Sequence, residues 1–139
     1  ETLYQSPTIL SILVSYTTSN AGAAHPTPGS EGYIFNLADG KTLDIAARLT
    51  PDQLSKTNDY IQQELRKKYG DVMLEEARNH TGPYLSDAGC ESCSLYYSKD
   101  GWTARFAVYS IAPYTVGEPV ISIPTTIIPD PETLIARKK

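Results

Sequence analysis

The chain has 139 residues, 40% of them apolar, and a formal net charge of −4 at pH 7. That length suits one domain with a real hydrophobic core. The mild acidity argues against nucleic acid, which calls for a basic face, and offers nothing to an anionic membrane surface.

Pro7 to Thr18, PTILSILVSYTT, reads as a strand, with Ile9, Ile12, Val14 and Tyr16 as candidates for burial. Ser19 to Gly32 is dense in Gly, Pro and Ser and reads as one loop. It is long for a compact domain, which points to function or disorder. Tyr33 to Leu37 is a short strand, and Asp39-Gly40 marks a tight hairpin turn after it. Thr42 to Leu49 reads as a short helix or one more strand, with Asp44 placed to cap a helix.

The main helix opens at Thr50-Pro51-Asp52. Thr50 suits the N-cap, Pro51 the first helical position, and Asp52 the positive end of the dipole. Leu54, Ile61, Leu65, Tyr69, Val72 and Met73 keep an approximate helical period. Gly70 breaks the helix, and a second piece is expected from Asp71 to about Asn79. His80 to Gly89 is a loop, Leu95 to Tyr97 a strand, and Lys99-Asp100-Gly101 a second hairpin turn.

Phe106 to Ile111 is apolar and short enough for a strand. Pro119 to Pro124 alternates Val120, Ser122 and Pro124 against Ile121 and Ile123, the period of a half-buried strand. Between the two lies a compact turn in which Pro113 fixes φ and Gly117 permits a φ other residues avoid. A short helix from Glu132 and solvated terminal lysines close the chain. This order predicts one α+β domain over residues 1–139, its core between about 9 and 128. A mostly antiparallel sheet carries one main amphipathic helix on one face.

Three pieces together resemble one family. They are Ala21 to Pro26 with Phe35 to Leu43; Leu95 to Trp102; and Phe106 to Pro124. They are similar to the domain of unknown function at the C-terminal end of RsiV-type anti-sigma factors. That domain is also found in PdaC-type peptidoglycan deacetylases, outside the catalytic module. The family pattern is a Gly-Gly-Ala-His loop, an aromatic strand with a turn, a helix, and a final Tyr-x-x-x-Pro-Tyr-Ala-x-Gly turn. Here Gly22-Ala23-Ala24-His25 matches the first part with one substitution. Tyr109 to Gly117 matches the last, with Thr115 and Val116 in place of small residues.

The resemblance implies a bacterial, extracytoplasmic domain: periplasmic, secreted, or carried outside the cytoplasm by a larger membrane-anchored protein. In the anti-sigma factors it implies binding of a lysozyme; in the deacetylases the domain has no established role, and carbohydrate or cell-wall binding is the expectation. The chain has neither a deacetylase module nor a sigma-binding segment. No stretch is long enough for a membrane span, and no secretory leader pattern stands at its start. The sequence therefore reads as a mature or trimmed form.

Several residues carry competing readings. Cys90-x-x-Cys93 could be a redox pair, but it leads into a strand and encloses Glu91, and an acidic neighbour disfavours thiolate. A zinc site would have only His25 and His80 to add, so no metal is expected. With the extracytoplasmic location that the resemblance implies, a structural disulfide is the other reading. His25 is either a base or ligand, or a ring that fixes its loop by hydrogen bonding to the turn from Pro113 to Glu118, with Glu118 as a candidate partner. Tyr114 is either an exposed anchor or folds back onto that turn. Glu75-Glu76 are adjacent on a helix and make no glycosidase dyad.

The reading is a non-catalytic extracytoplasmic binding domain without cofactor. Its surface joins Ala24, His25 and Pro26 to Pro113, Tyr114, Gly117 and Glu118, because both well-matched motifs fall on loops, which carry function on a positioned scaffold. A lysozyme-like protein is the first expected partner and peptidoglycan glycan the second. The enzyme alternative is a thiol oxidoreductase using Cys90 and Cys93.

Overall fold

The longest pairing in the molecule is an antiparallel ribbon. In the computed structural model, which describes residues 1–137, strand β2 (Ile9–Thr18) pairs with β3 (Thr27–Asn36) along its whole length. The register runs from Ile9 opposite Asn36 to Thr18 opposite Thr27. Strand β1 (Thr2–Gln5) lines the free edge of β2, and β4 (Lys41–Thr42) that of β3, giving the order β1-β2-β3-β4. Lys138 and Lys139, expected to be solvated, lie outside the described residues.

Two expectations fail in this ribbon. The buried residues of β2 are Ile9, Ser11 and Leu13, while Val14 and Tyr16 are exposed. A one-residue offset turns every side chain to the other face. The polar member, Ser11, is fully buried because its hydroxyl accepts a hydrogen bond from the Tyr97 amide at 3.1 Å. The expected loop from Ser19 to Gly32 is also too long, since β3 begins at Thr27. Pro28, Gly29 and Gly32 read as loop residues, yet the two glycines serve close approach. A Cβ at Gly29 would strike the Tyr16 ring, and one at Gly32 would crowd Tyr96.

A second sheet has the order β7-β8-β9, from β7 (Cys93–Ser98), β8 (Gly101–Phe106) and β9 (Val120–Ile123). Alternation is strict in β8, where Trp102, Ala104 and Phe106 are buried, and β9 buries Ile121 and Ile123 as its period predicts. The Trp102 indole N–H donates to the Pro129 carbonyl at 2.9 Å, so the largest buried ring leaves no orphan donor. The expected strand from Phe106 to Ile111 does not form. The ladder closes where the Phe106 amide donates to Pro119 O at 2.8 Å. The Ala107 amide then turns away to Ser92 O at 2.9 Å, and Tyr109 takes a left-handed φ of 68°.

Helix α1 (Ile45–Arg48) has Asp44 as its cap, accepting from the Ala47 amide at 3.1 Å. Helix α2 (Pro51–Tyr69) begins with a full capping box between Thr50 and Gln53 and with Pro51 in its first turn. It buries Thr57, Ile61 and Leu65, four residues apart along one stripe. The expected second piece is shorter than its pattern: only Glu75–Arg78 (α3) is helical, and Val72 is exposed. Two small strands follow, β5 (Leu85–Ser86) and β6 (Gly89–Cys90). Helix α4 (Pro131–Ile135) is capped by Asp130. Arg48 closes its far end by donating to the carbonyls of Leu134, Ile135 and Arg137 at 2.9–3.2 Å.

The architecture is α+β, mostly antiparallel, with one long helix. One hydrophobic cluster joins Ile9 and Ile34 of the ribbon to Ile61 and Leu65 of α2 and Trp102 and Phe106 of β8. No helix among the described residues is long and apolar enough to cross a membrane.

Candidate functional site

Two loops distant in sequence meet at one end of the molecule. The first is the tip of the ribbon, Ser19 to Pro26, where Gly22 takes a φ of 83° and Ala24 and Pro26 are exposed. The second is the connection from Ala107 to Pro119. Within it Pro113 caps a single 3-10 turn, Tyr114–Val116, and Gly117 ends it at a φ of 79°. That φ is what the sequence asked of Gly117.

His25 lies flat on Tyr114, with ring centroids 3.7 Å apart and planes 23° from parallel. The Tyr114 hydroxyl donates to the Pro26 carbonyl at 2.9 Å. The expected hydrogen bond from the His25 ring is not made among the described residues: His25 meets the turn by stacking, Tyr114 supplies the hydrogen bond, and Glu118 is engaged by Ser30 and Arg105 instead. His25 Nδ1 is shut off from solvent with no hydrogen-bond partner among the described residues. Tyr114 combines both of its readings: it folds back on the turn and keeps a half-buried ring at the surface. Tyr109 extends the row, its ring 5.7 Å from that of Tyr114 and the residue 52% exposed. Holding a bulky residue at a left-handed φ costs about 1–2 kcal/mol. Strain of this kind clusters where a side chain must be aimed.

Glu118 belongs to a different set. Its carboxylate accepts from the Ser30 hydroxyl at 2.9 Å and faces the Arg105 guanidinium at 3.9 Å. Arg105 in turn donates through Nε and Nη2 to the Tyr96 hydroxyl at 3.1 and 3.0 Å. These groups lie beside an open groove of about 530 Å³ that runs between β3, the cysteine loop and the end of β8. The expected surface is therefore two neighbouring features. His25, Pro26, Pro113 and Tyr114 form an aromatic rim, and Glu118 sits in a polar groove.

Sequence reasoning missed Arg105, Ser30 and Tyr16 as site residues. Ser30 reads as part of the long loop, Tyr16 as a buried strand residue, and nothing in the local pattern of Arg105 separates it from a solvated face. Tyr109 had a signal, as the first residue of the matched turn motif.

Cys90 and Cys93 are joined in a disulfide, with Cα atoms 5.2 Å apart, that bridges β6 to β7. Glu91 between them reaches to 3.7 Å from His80, whose ring stacks on Tyr84. His80 is therefore part of the packing around the cysteine loop. No cluster of three or more metal-ligating side chains occurs among the described residues.

A family model described as a protein of unknown function (DUF3298) matches residues 48–126, more than half of the chain. Two solved structures share the fold. A DUF3298 family member from Bacteroides fragilis is 24% identical with a TM-score of 0.64, over 91% of this chain and 49% of that one. A DUF3298 family protein from Pseudomonas aeruginosa PAO1 is 18% identical with a TM-score of 0.59, over 91% of this chain and 56% of that one. The chain thus spans about half the length of each. No curated protein matches it. The chain belongs to the DUF3298 family, whose function is unknown.

Proposed function

We propose that this is a non-catalytic, extracytoplasmic binding domain that recognises a lysozyme-like protein through the rim of His25, Tyr114 and Tyr109. The observation that carries the reading is the row of three rings built from two loops 84 residues apart, ending in an exposed tyrosine at a strained backbone position. Rigid aromatic anchors of this kind dominate protein interfaces at little entropic cost. The resemblance to the RsiV-type and PdaC-type domains supports both the location and the partner class. A net charge of −4 favours encounter with a cationic lysozyme. On this reading His25 acts by stacking and Cys90–Cys93 by bracing a loop, so neither group does chemistry.

Calorimetric titration with hen-type lysozyme, beside soluble peptidoglycan fragments, tests the proposal. Micromolar or tighter lysozyme binding that Tyr109→Ala and Tyr114→Ala weaken supports it. Binding of glycan alone makes the domain a cell-wall targeting module instead. Lysozyme binding unchanged by both variants places the contact elsewhere. Reduction of insulin disulfides by the domain would establish the oxidoreductase reading.

A further inference from the structure

The outer face of the ribbon is a surface of its own. The strand register places Val14, Tyr16, Glu31 and Tyr33 together on the side opposite to Ser11 and Ile34, which are buried. Val14 stands opposite Glu31. Tyr16 stands opposite Gly29 and so diagonal to Glu31, a spacing that an aromatic side chain can reach across. We propose that this face receives a lysine or arginine side chain of a basic protein partner, with Glu31 as its counter-charge and Tyr16 and Tyr33 as its aromatic walls.

The charge distribution points to that chemistry. The chain is 20% Asp, Glu, Lys and Arg, yet from Thr2 to Asn36 the sole residue of these types is Glu31. Glu31 is exposed and has no ion-pair partner among the described residues. Its Oε2 accepts from the Tyr33 hydroxyl, which holds the carboxylate in place, and Oε1 has no hydrogen-bond partner among the described residues. An approaching anion is repelled. An apolar segment would cover the carboxylate without satisfying it, which is unfavourable. A magnesium or calcium ion would find one carboxylate where such ions take about six oxygens. An ammonium or guanidinium group satisfies Glu31 directly, and its aliphatic stem can lie on Val14, which is 44% exposed.

The rings complete the site. Tyr16 is 48% exposed and lies across Gly29, its partner on the opposite strand. A Cβ on residue 29 would collide with the ring carbons Cε2 and Cζ. Gly29 has no left-handed φ, so its lack of a side chain serves the ring and not a turn. Tyr33 is backed by Phe35, with ring centroids 6.3 Å apart and planes 22° from parallel. The faces of such rings carry negative potential and attract cations. Gly29 follows Pro26 by three residues, about 10 Å of extended strand, so this face adjoins the rim.

The site rests on the reading of the chain as a binding domain for a basic protein and adds a second contact to it. The test is an NMR titration of the whole chain with tetralysine amide, with the same peptide acetylated on every amine as the neutral control. Tetralysine amide is expected to shift the amides of Val14, Tyr16, Glu31 and Tyr33 at millimolar concentration or below, and the acetylated peptide to leave them in place. Glu31→Gln and Tyr16→Ala, both at exposed positions, should each weaken binding about threefold or more, and Gly29→Ala should weaken it by displacing the Tyr16 ring. Circular dichroism verifies the fold of each variant. The site is overturned if the acetylated peptide acts equally, or if the shifts spread evenly to Asp52, Asp71, Glu75 and Glu76. It is equally overturned if Glu31→Gln and Tyr16→Ala bind like the parent. A parallel lysozyme titration separates this site from the rim. Lysozyme binding that Tyr109→Ala weakens but Glu31→Gln and Tyr16→Ala leave unchanged removes the site and keeps the rim. Tetralysine shifts at these amides in a chain that does not bind lysozyme uphold the site and remove the lysozyme reading alone.

Discussion

The imidazole of His25 rests on the phenol ring of Tyr114 at 3.7 Å, while the Tyr114 hydroxyl is hydrogen-bonded to the carbonyl of Pro26. Each loop is therefore part of the other's support. Tyr114→Ala removes both links and should speed hydrogen exchange at the amides of Ala23, His25 and Thr27, with about 1 kcal/mol lost globally. Tyr114→Phe keeps the stack and should have a smaller effect. Equal exchange rates in Tyr114→Ala and the parent would show that the ribbon tip holds its shape alone.

Asn58 is a second clamp, between α2 and the segment leading into β5. Its side-chain oxygen accepts from the amides of Tyr84 and Leu85 at 2.9 and 2.8 Å, and its nitrogen donates to Leu85 O at 2.9 Å. Removing it strands two donors and an acceptor in a part-buried setting. Asn58→Ala should cost about 2–3 kcal/mol in urea unfolding, more than a typical surface change. A loss under about 0.5 kcal/mol would mean that water replaces the amide freely.

The Cys90–Cys93 disulfide closes a very short loop. In the chain-entropy picture such a loop restrains the unfolded chain by only about 2 kcal/mol. The paired Cys90→Ser and Cys93→Ser variant should therefore still fold, with a lower urea midpoint. Its local effect should exceed its global one. Ser92 is held at a φ of 56° and accepts the Ala107 amide, so the loop that carries Tyr109 should loosen on reduction. Amide exchange at Ala107 to Ser110, with and without reductant, measures this.

Tyr4, Tyr33, Tyr60, Tyr84 and Tyr97 all have pKa values raised above the ordinary phenol value of about 10. For Tyr4 and Tyr33 the leading cause is a hydrogen bond to Glu132 and Glu31 respectively; for the other three it is burial. Folding thus favours the neutral phenol. At neutral pH both states are protonated and the full stability is present. Above about pH 10 the unfolded chain loses protons first, so stability falls with pH until the folded phenols also ionise. Urea unfolding between pH 8 and 11 should show a midpoint flat at first and then declining. A rising midpoint there would contradict the assignment.

The readable parts of the fold were those fixed by neighbouring residues. Thr50, Pro51 and Gln53 announce the start of α2 because capping is local chemistry. Ile121 and Ile123 announce β9 because alternation is local too. The errors share a cause in distant contacts. Gly29 and Gly32 look like loop glycines until Tyr16 and Tyr96 are placed over them. Ala107 to Ile111 looks like strand until Ser92, from another element, captures the Ala107 amide. Of the site, the meeting of the His25 loop with the Tyr114 turn was legible, because a motif named both. Arg105, Ser30 and Glu118 were not seen as a group, since 75 residues separate the first two.

The connection between β8 and β9 is gripped at its two ends by main-chain atoms: Ala107 to Ser92, and Phe106 to Pro119. Main-chain grips are blind to side-chain identity. Positions 108 to 110, 115 and 116 can therefore drift in sequence without shifting the strands on either side, while Ile111 and Ala112 stay buried, Tyr114 keeps its hold on the ribbon tip and Gly117 keeps its left-handed exit. The segment behaves as an exchangeable cassette in a fixed frame. Selection can redraw the exposed positions at this end of the molecule while Ile111 and Ala112 hold the segment to the core.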